Sequence, residues 1–258
     1  MHMRPYLLLD AGGTMVFPDF LLLGQLVREA AGVDHRLESL YSAFLHACHA
    51  LDQRLGQALQ GGSAQPAADD FIYCEMLRRL GLAGADLEKV LEKLQALQPT
   101  RHLWTYRFAW LLPTLRCLRE QGYRLSVISN SDGRVAEVLR LVGVADFFEI
   151  IVDSGREGVA KPDPELFWRA LRRLQLTPEA ALYIGDFYHI DVLGANRAGI
   201  PAVLLDTLGL AEAAGWTARR LPNLSHLPAY LQSADFHLDD PLLFPFQRTD
   251  DALATLER

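Results

Sequence analysis

The 258 residues, half of them hydrophobic and 22% charged, can bury about three quarters of the unfolded surface, which excludes a disordered segment or a disulfide-stapled miniature. Acidic residues outnumber basic ones by 32 to 25 for a net charge of -7, and the basic residues do not cluster, which argues against a nucleic-acid partner. No apolar stretch approaches the roughly 18 residues that span a bilayer, and Asp10 ends the short amino-terminal run too early for a signal peptide. Cys48, Cys74 and Cys117 are odd in number and lack CxxC spacing, which suits reduced thiols and a cytoplasmic location.

The first strand-length apolar run covers residues 6–9. Residues 21–31, 37–59, 70–80 and 86–97 carry apolar side chains at spacings of three and four, the pattern of amphipathic helices, and 61–68 reads as a loop. Within the second of these helices, His46 and His49 lie three apart, but with no third ligand beside them they read as ordinary helix surface. Trp104, Tyr106, Phe108 and Trp110 then alternate with Thr105, Arg107 and Ala109, a period of two that predicts an extended segment used as hinge or core packing. Further runs at 125–128, 148–152, 182–184 and 202–205 alternate with helical stretches such as 114–121 and 135–142, stopped by Gly122 and Gly143. Asp163-Pro164-Glu165 and Thr177-Pro178-Glu179 read as N-caps with proline at the first helical position.

Strand then helix, repeated, predicts an α/β fold with a mostly parallel sheet flanked by helices. The helical interval after the first strand is too long for one crossover. It predicts a small helical domain, residues 17–108, inserted into a core made of 1–16 and 109–232, with 233–258 as a tail that packs on the core or makes a dimer contact. Ligands of open parallel sheets bind beyond the carboxyl ends of the strands, where the insertion also emerges, so it is expected to roof the site.

Four polar clusters fall near strand ends. Asp10-Ala11-Gly12-Gly13-Thr14 offers a carboxylate and glycines that let backbone approach an anion, or a simple turn cap. Ser129-Asn130-Ser131-Asp132-Gly133 offers a hydroxyl and N–H groups at a helix start, which is an anion site or an N-cap. Lys161 lies in a proline-stiffened loop, where a lone lysine is usually solvated. Asp186 and Asp191 can face one hard cation across a turn, since magnesium takes one or two protein carboxylates; alternatively Asp191 only complements a helix dipole.

In this order the clusters resemble the four motifs of the haloacid dehalogenase superfamily: D-x-D-G-T after a strand, a strand-end Ser or Thr, a lysine, and a strand followed by G-D-x-x-x-x-D. The likeness runs from residue 6 to about 206, and the insertion is similar to the helical cap of the subgroup that holds phosphoglycolate phosphatase and the haloacid dehalogenases. The resemblance implies a Rossmann-like core and a magnesium-dependent hydrolase, a phosphatase of a small phosphorylated metabolite that works through an aspartyl-phosphate. By position, Asp10 is the implied nucleophile. Asp10, the Gly12 carbonyl, Asp186 and Asp191 are the implied Mg2+ ligands, Asp191 directly or through water. Ser129 and the N–H of Asn130 hold phosphoryl oxygens, Lys161 offsets the crowded carboxylates, and Gly13 and Thr14 support the loop. A monomer or homodimer is expected.

The sequence departs from the phosphatases at Gly12, where they carry the aspartate that protonates the leaving oxygen and then activates water. Asp19 and His189 are the nearest substitutes along the chain. The dehalogenase branch, commonly D-x-Y-G-T and metal-independent, also lacks that aspartate. Asp186 and Asp191 favour the phosphoryl side, with a phosphate-binding pseudoenzyme as a third alternative.

Overall fold

The structure, a computed structural model, describes residues 4–61 and 68–244. Its described residues form a six-stranded sheet of β1 (Tyr6–Leu9), β2 (Leu125–Ser129), β3 (Ile151–Asp153), β4 (Ala181–Gly185), β5 (Ala202–Leu205) and β6 (Arg219–Leu221). All neighbouring strands are parallel, in the order β3-β2-β1-β4-β5-β6. The winding direction reverses between β1 and β4, which opens a crevice at the carboxyl ends of those two strands.

β1, β2, β4 and β5 are buried at every position, as expected of strands covered on both faces, whose sequences then read as continuous apolar runs. Leu8 pairs with Ser126 on one side and Tyr183 on the other. One layer of the core joins Leu8, Ile128, Val152, Tyr183 and Leu204 to Leu166, Phe167, Ala170 and Leu171 of a flanking helix.

The chain divides into two compact units, Met1–Met15 with Phe108–Arg258, and Val16–Arg107. The second holds α1 (Phe20–Ala31), α2 (Leu37–Gly61), α3 (Ala68–Arg79) and α4 (Gly84–Leu97). Asp19 caps α1 by accepting from Leu22 N at 3.1 Å, and the left-handed Gly32 (φ 70°) ends it. Aromatic contacts tie this unit together: Phe17 edge-on to Phe44 at 5.8 Å, Phe20 tilted on Tyr106 at 5.2 Å and Trp104 edge-on to Phe44 at 5.6 Å. Phe17 and Tyr106 also form an antiparallel bridge with bonds of 2.8 and 3.0 Å. Trp104 and Tyr106, both half-buried, therefore pack at the edge of this unit's core, whereas Phe108 and Trp110 stack on each other in the first unit at 5.8 Å.

In the first unit, α5 (Leu111–Glu120) begins three residues before the predicted start. Pro113 falls within its first turn, where no backbone N–H is needed for an intrahelical bond. It is followed by α6 (Val135–Leu141), α7 (Ser154–Glu157), α8 (Pro164–Leu174) and α9 (Leu193–Arg197). Asp163 caps α8 as the sequence predicts, accepting from Glu165 N at 2.9 Å.

Two sequence expectations need correction, and one strand has no counterpart in them. Thr177-Pro178-Glu179 opens only a three-residue 3-10 turn without a side-chain cap bond, because β4 follows at once. The third strand begins at Ile151 rather than 148, although Glu149 N already bonds Leu125 O at 2.9 Å. β6 was not predicted, since Arg219-Arg220-Leu221 lacks an apolar run; it is a half-exposed edge strand, where charge is common.

The loop expected at 61–68 falls mostly outside the described residues, as does the tail beyond 244. The tail's described part packs on the first unit: Leu243 is buried, its carbonyl accepts from Asn196 Nδ2 at 2.9 Å, and Asp240 pairs with Arg219 Nε at 2.8 Å. All three cysteines are free thiols. Among the described residues no helix is long and apolar enough to cross a membrane.

Candidate active site

Asp10 directly follows β1, and its N–H donates to Ile184 O at 2.9 Å, which sets it beside the end of β4. Asp186 follows β4, and Asp191 lies in the π-helical turn Tyr188–Val192 just beyond. One oxygen from each of Asp10, Asp186 and Asp191 can be chosen so that all three lie within 4.8 Å of one another, the one such group of potential metal ligands among the described residues. Lys161, in the loop before α8, sends its buried ammonium to Asp10 Oδ1 at 2.6 Å and to Asp191 Oδ1 at 2.7 Å. The lone-lysine reading of a solvated side chain is thereby overturned.

Glycines make the close approach possible. Gly13 adopts φ 77°, and a β-carbon there would land on the Asp186 carboxylate. A β-carbon on Gly185 would likewise meet the Asp191 carboxylate. Thr14 is buried, with Oγ1 at 3.5 Å from Asp186 Oδ1. Gly12 is only half-buried in the same loop.

Burial, countered by Lys161 and reinforced by Asp191, pushes the Asp10 carboxyl up to about 6. Burial and then the charges of Asp10 and Asp191 hold Asp186 well above the usual carboxylate range. Burial alone would lower Lys161, but Asp10 and Asp191 outweigh it and its ammonium is favoured. Three carboxylates against one ammonium leave excess negative charge where Asp10, Asp191 and Lys161 are buried and Asp186 half-buried. A divalent cation would relieve that excess, so the residues present fit a hard metal ion.

Ser129 closes β2 and is buried beside the end of β1. Asn130 does more than the sequence suggested. Its side chain clamps the lysine loop from both sides, donating from Nδ2 to Lys161 O at 2.9 Å and accepting from Lys161 N at 2.8 Å.

Nor do the serines of this cluster cap the helix that follows. Asp153, at the end of β3, accepts from Gly133 N, Gly155 N and Val135 N, each at 3.0 Å, and so ties down the starts of both α6 and α7. Sequence reasoning passed over Asp153 and also Tyr183, whose hydroxyl lies 2.8 Å from Lys161 Nζ. A tyrosine in an apolar strand gives no signal that its polar end is in use.

Of the two suggested acids, Asp19 is engaged as the α1 cap and in an ion pair with Arg101 at 2.7 Å. His189 packs edge-on against Tyr188 and Trp216, at 5.2 and 5.3 Å. His46 and His49 belong to no metal-ligand group among the described residues.

A profile of haloacid dehalogenase-like hydrolases matches residues 8–199. The chain is 36% identical over 143 residues to the glyceraldehyde 3-phosphate phosphatase of Methanopyrus kandleri, a match covering 55% of this chain and 59% of that protein. It is 36% identical over 132 residues to haloacid dehalogenase-like hydrolase domain-containing protein 3 of Bos taurus, covering 48% and 53% respectively. The chain thus spans little more than half the length of these curated relatives.

Two solved structures share the fold. The HAD-hydrolase YfnB of Bacillus subtilis superposes with a TM-score of 0.60 at 19% identity, covering 89% of this chain and 99% of that one. The 2-haloacid dehalogenase of Pseudomonas syringae pv. Tomato gives 0.52 at 24% identity, covering 88% and 97%.

Proposed function

Because the chain belongs to the haloacid dehalogenase-like hydrolases, we propose that it is a magnesium-dependent phosphatase of a small phosphorylated metabolite. The observation that carries this reading is the group of Asp10, Asp186 and Asp191 oxygens within 4.8 Å of one another, with the buried Lys161 ammonium paired to Asp10 and Asp191. The name of the Methanopyrus kandleri relative supports a small phosphoester as the substrate class. The free thiols suit a reducing compartment such as the cytoplasm.

Asp10 is the proposed nucleophile. Lys161 occupies its Oδ1, so Oδ2 is the oxygen left to attack phosphorus. The P–O ester bond breaks as the Asp10–phosphorus bond forms, and the leaving group departs with the bonding electrons as an alkoxide or aryloxide that takes its proton from solvent. Water then attacks the same phosphorus and gives up a proton to solvent as the Asp10 O–P bond breaks, releasing inorganic phosphate and restoring the carboxylate. Ser129 and the N–H of Asn130 hold the phosphoryl oxygens. Asp10, Asp186 and the Gly12 carbonyl are the residues to hold Mg2+, with Asp191 in support. When bound, the ion supplies charge neutralisation for the phosphoryl oxygens and the crowded carboxylates.

Gly12 supplies no proton to the leaving oxygen. General acid–base assistance is worth about a hundred- to ten-thousand-fold, so turnover should favour good leaving groups, such as aryl and acyl phosphates over alkyl phosphates. The purified chain is assayed for phosphate release from para-nitrophenyl phosphate, acetyl phosphate and sugar phosphates, with magnesium or with EDTA, and for halide release from 2-haloacids. Magnesium-dependent phosphate release, lost in Asp10→Asn, is the expected result. Halide release without metal, and no phosphate release, would replace this reading with dehalogenation.

A further inference from the structure

An ammonium has three donors and no acceptor, and each donor of Lys161 has a partner. They are Asp10 Oδ1 at 2.6 Å, Asp191 Oδ1 at 2.7 Å and the phenol oxygen of Tyr183 at 2.8 Å. The orientation of this buried group is therefore fixed by three oxygens, two charged and one neutral. Tyr183 lies outside all four sequence clusters.

It sits on β4, yet its hydroxyl lies 3.1 Å from the Ile128 carbonyl of β2, with β1 running between the two strands. The same hydroxyl lies 3.0 Å from Asp191 Oδ1. Its single proton goes to one of these acceptors at a time, which leaves a lone pair for the lysine N–H. The ring itself is locked, fully buried with Phe167 edge-on at 5.1 Å. Asp191 has little freedom either, because its Oδ2 accepts from Phe187 N at 2.9 Å.

We propose that Tyr183 is a positioning residue for the reaction: its hydroxyl, braced on Ile128, holds the Lys161 ammonium on Asp10 Oδ1 and so keeps Oδ2 as the attacking oxygen. The proposal rests on the aspartyl-phosphate reading above. A tyrosine that only filled the core would be replaced by phenylalanine without loss, because the ring and its contact with Phe167 remain.

The test compares wild type, Tyr183→Phe, Asp10→Asn and the double variant. With para-nitrophenyl phosphate and saturating magnesium, Tyr183→Phe should lower kcat by about ten- to a hundredfold, the scale of a lost hydrogen bond to a charged group. KM should stay within about twofold, since the phenol is proposed to touch the lysine and not the ester. In thermal melts, the shifts of Tyr183→Phe and Asp10→Asn should be non-additive, because both act on one ammonium. An unchanged kcat, or additive melting shifts, overturns the proposal. If wild type releases no phosphate from any probe, the phosphatase reading fails by itself, and the melting cycle alone decides whether Tyr183 positions Lys161.

Discussion

Tyr6 shows how a single buried hydroxyl links burial to pH. Its oxygen lies 2.7 Å from Ser126 Oγ and its ring lies under Arg124 at 5.0 Å. Burial pushes its pKa from 10.0 up to about 12, with Ser126 and Arg124 opposing and the Glu149 charge adding. Above pH 10 the unfolded chain releases a proton that the folded chain still holds, so stability falls as pH rises through this window and is unaffected below it. The loss of melting temperature between about pH 9 and pH 11 should therefore be smaller in Tyr6→Phe than in wild type. An equal loss in the two would mean that the hydroxyl ionises as freely folded as unfolded. The same residue type marks the limit of sequence reading. Asp10, Asp186 and Asp191 were legible because charged residues at or just beyond the ends of apolar runs stand out, whereas Lys161 was legible only through the order of the four motifs. Tyr6 and Tyr183 were not, because a strand tyrosine reads as an apolar side chain while its hydroxyl finds partners on other strands.

At the level of elements, the loop after β2 is held by a neighbour as well as by its own Asp132, which accepts from Arg134 N at 3.2 Å. Asp153 gathers three backbone N–H groups from two helix starts. Asp153→Ala should cost about 2–4 kcal/mol in urea unfolding, the scale of losing charged cap bonds at buried N–H groups, and Asp153→Asn should cost less because its carbonyl oxygen still accepts. A loss under about 0.5 kcal/mol for the alanine variant would show that water replaces the carboxylate, since surface-like substitutions fall in that range. Nothing in the sequence singled out Asp153, because its partners lie up to 20 positions away and are joined only when β3 pairs with β2. The central strands were legible for the opposite reason: burial on both faces demands apolar side chains throughout, and residues 6–9 and 202–205 carry them. β6 escaped because an edge strand has no such demand.

For the whole molecule, metal and fold should be coupled, since the three carboxylates come together only when β1 and β4 pair and the turn Tyr188–Val192 folds back beside them. Magnesium at about a hundred times its dissociation constant adds about 2.7 kcal/mol to the folded state, so the melting temperature should rise with the ion and fall back with EDTA. Asp186→Ala should abolish most of that response, and an undiminished rise in this variant would place the ion elsewhere. The helical unit meets the chain in a different way. Phe17 and Tyr106 exchange both backbone bonds, and Asp19 N bonds Leu103 O at 2.7 Å, so the chain enters and leaves Val16–Arg107 through paired neighbours. Within the unit, these two segments form a paired base from which its helices depart. Helices could be added or trimmed beyond that base without breaking its backbone bonds, which makes it a fixed footing on which the rest of the helical unit is free to vary in length.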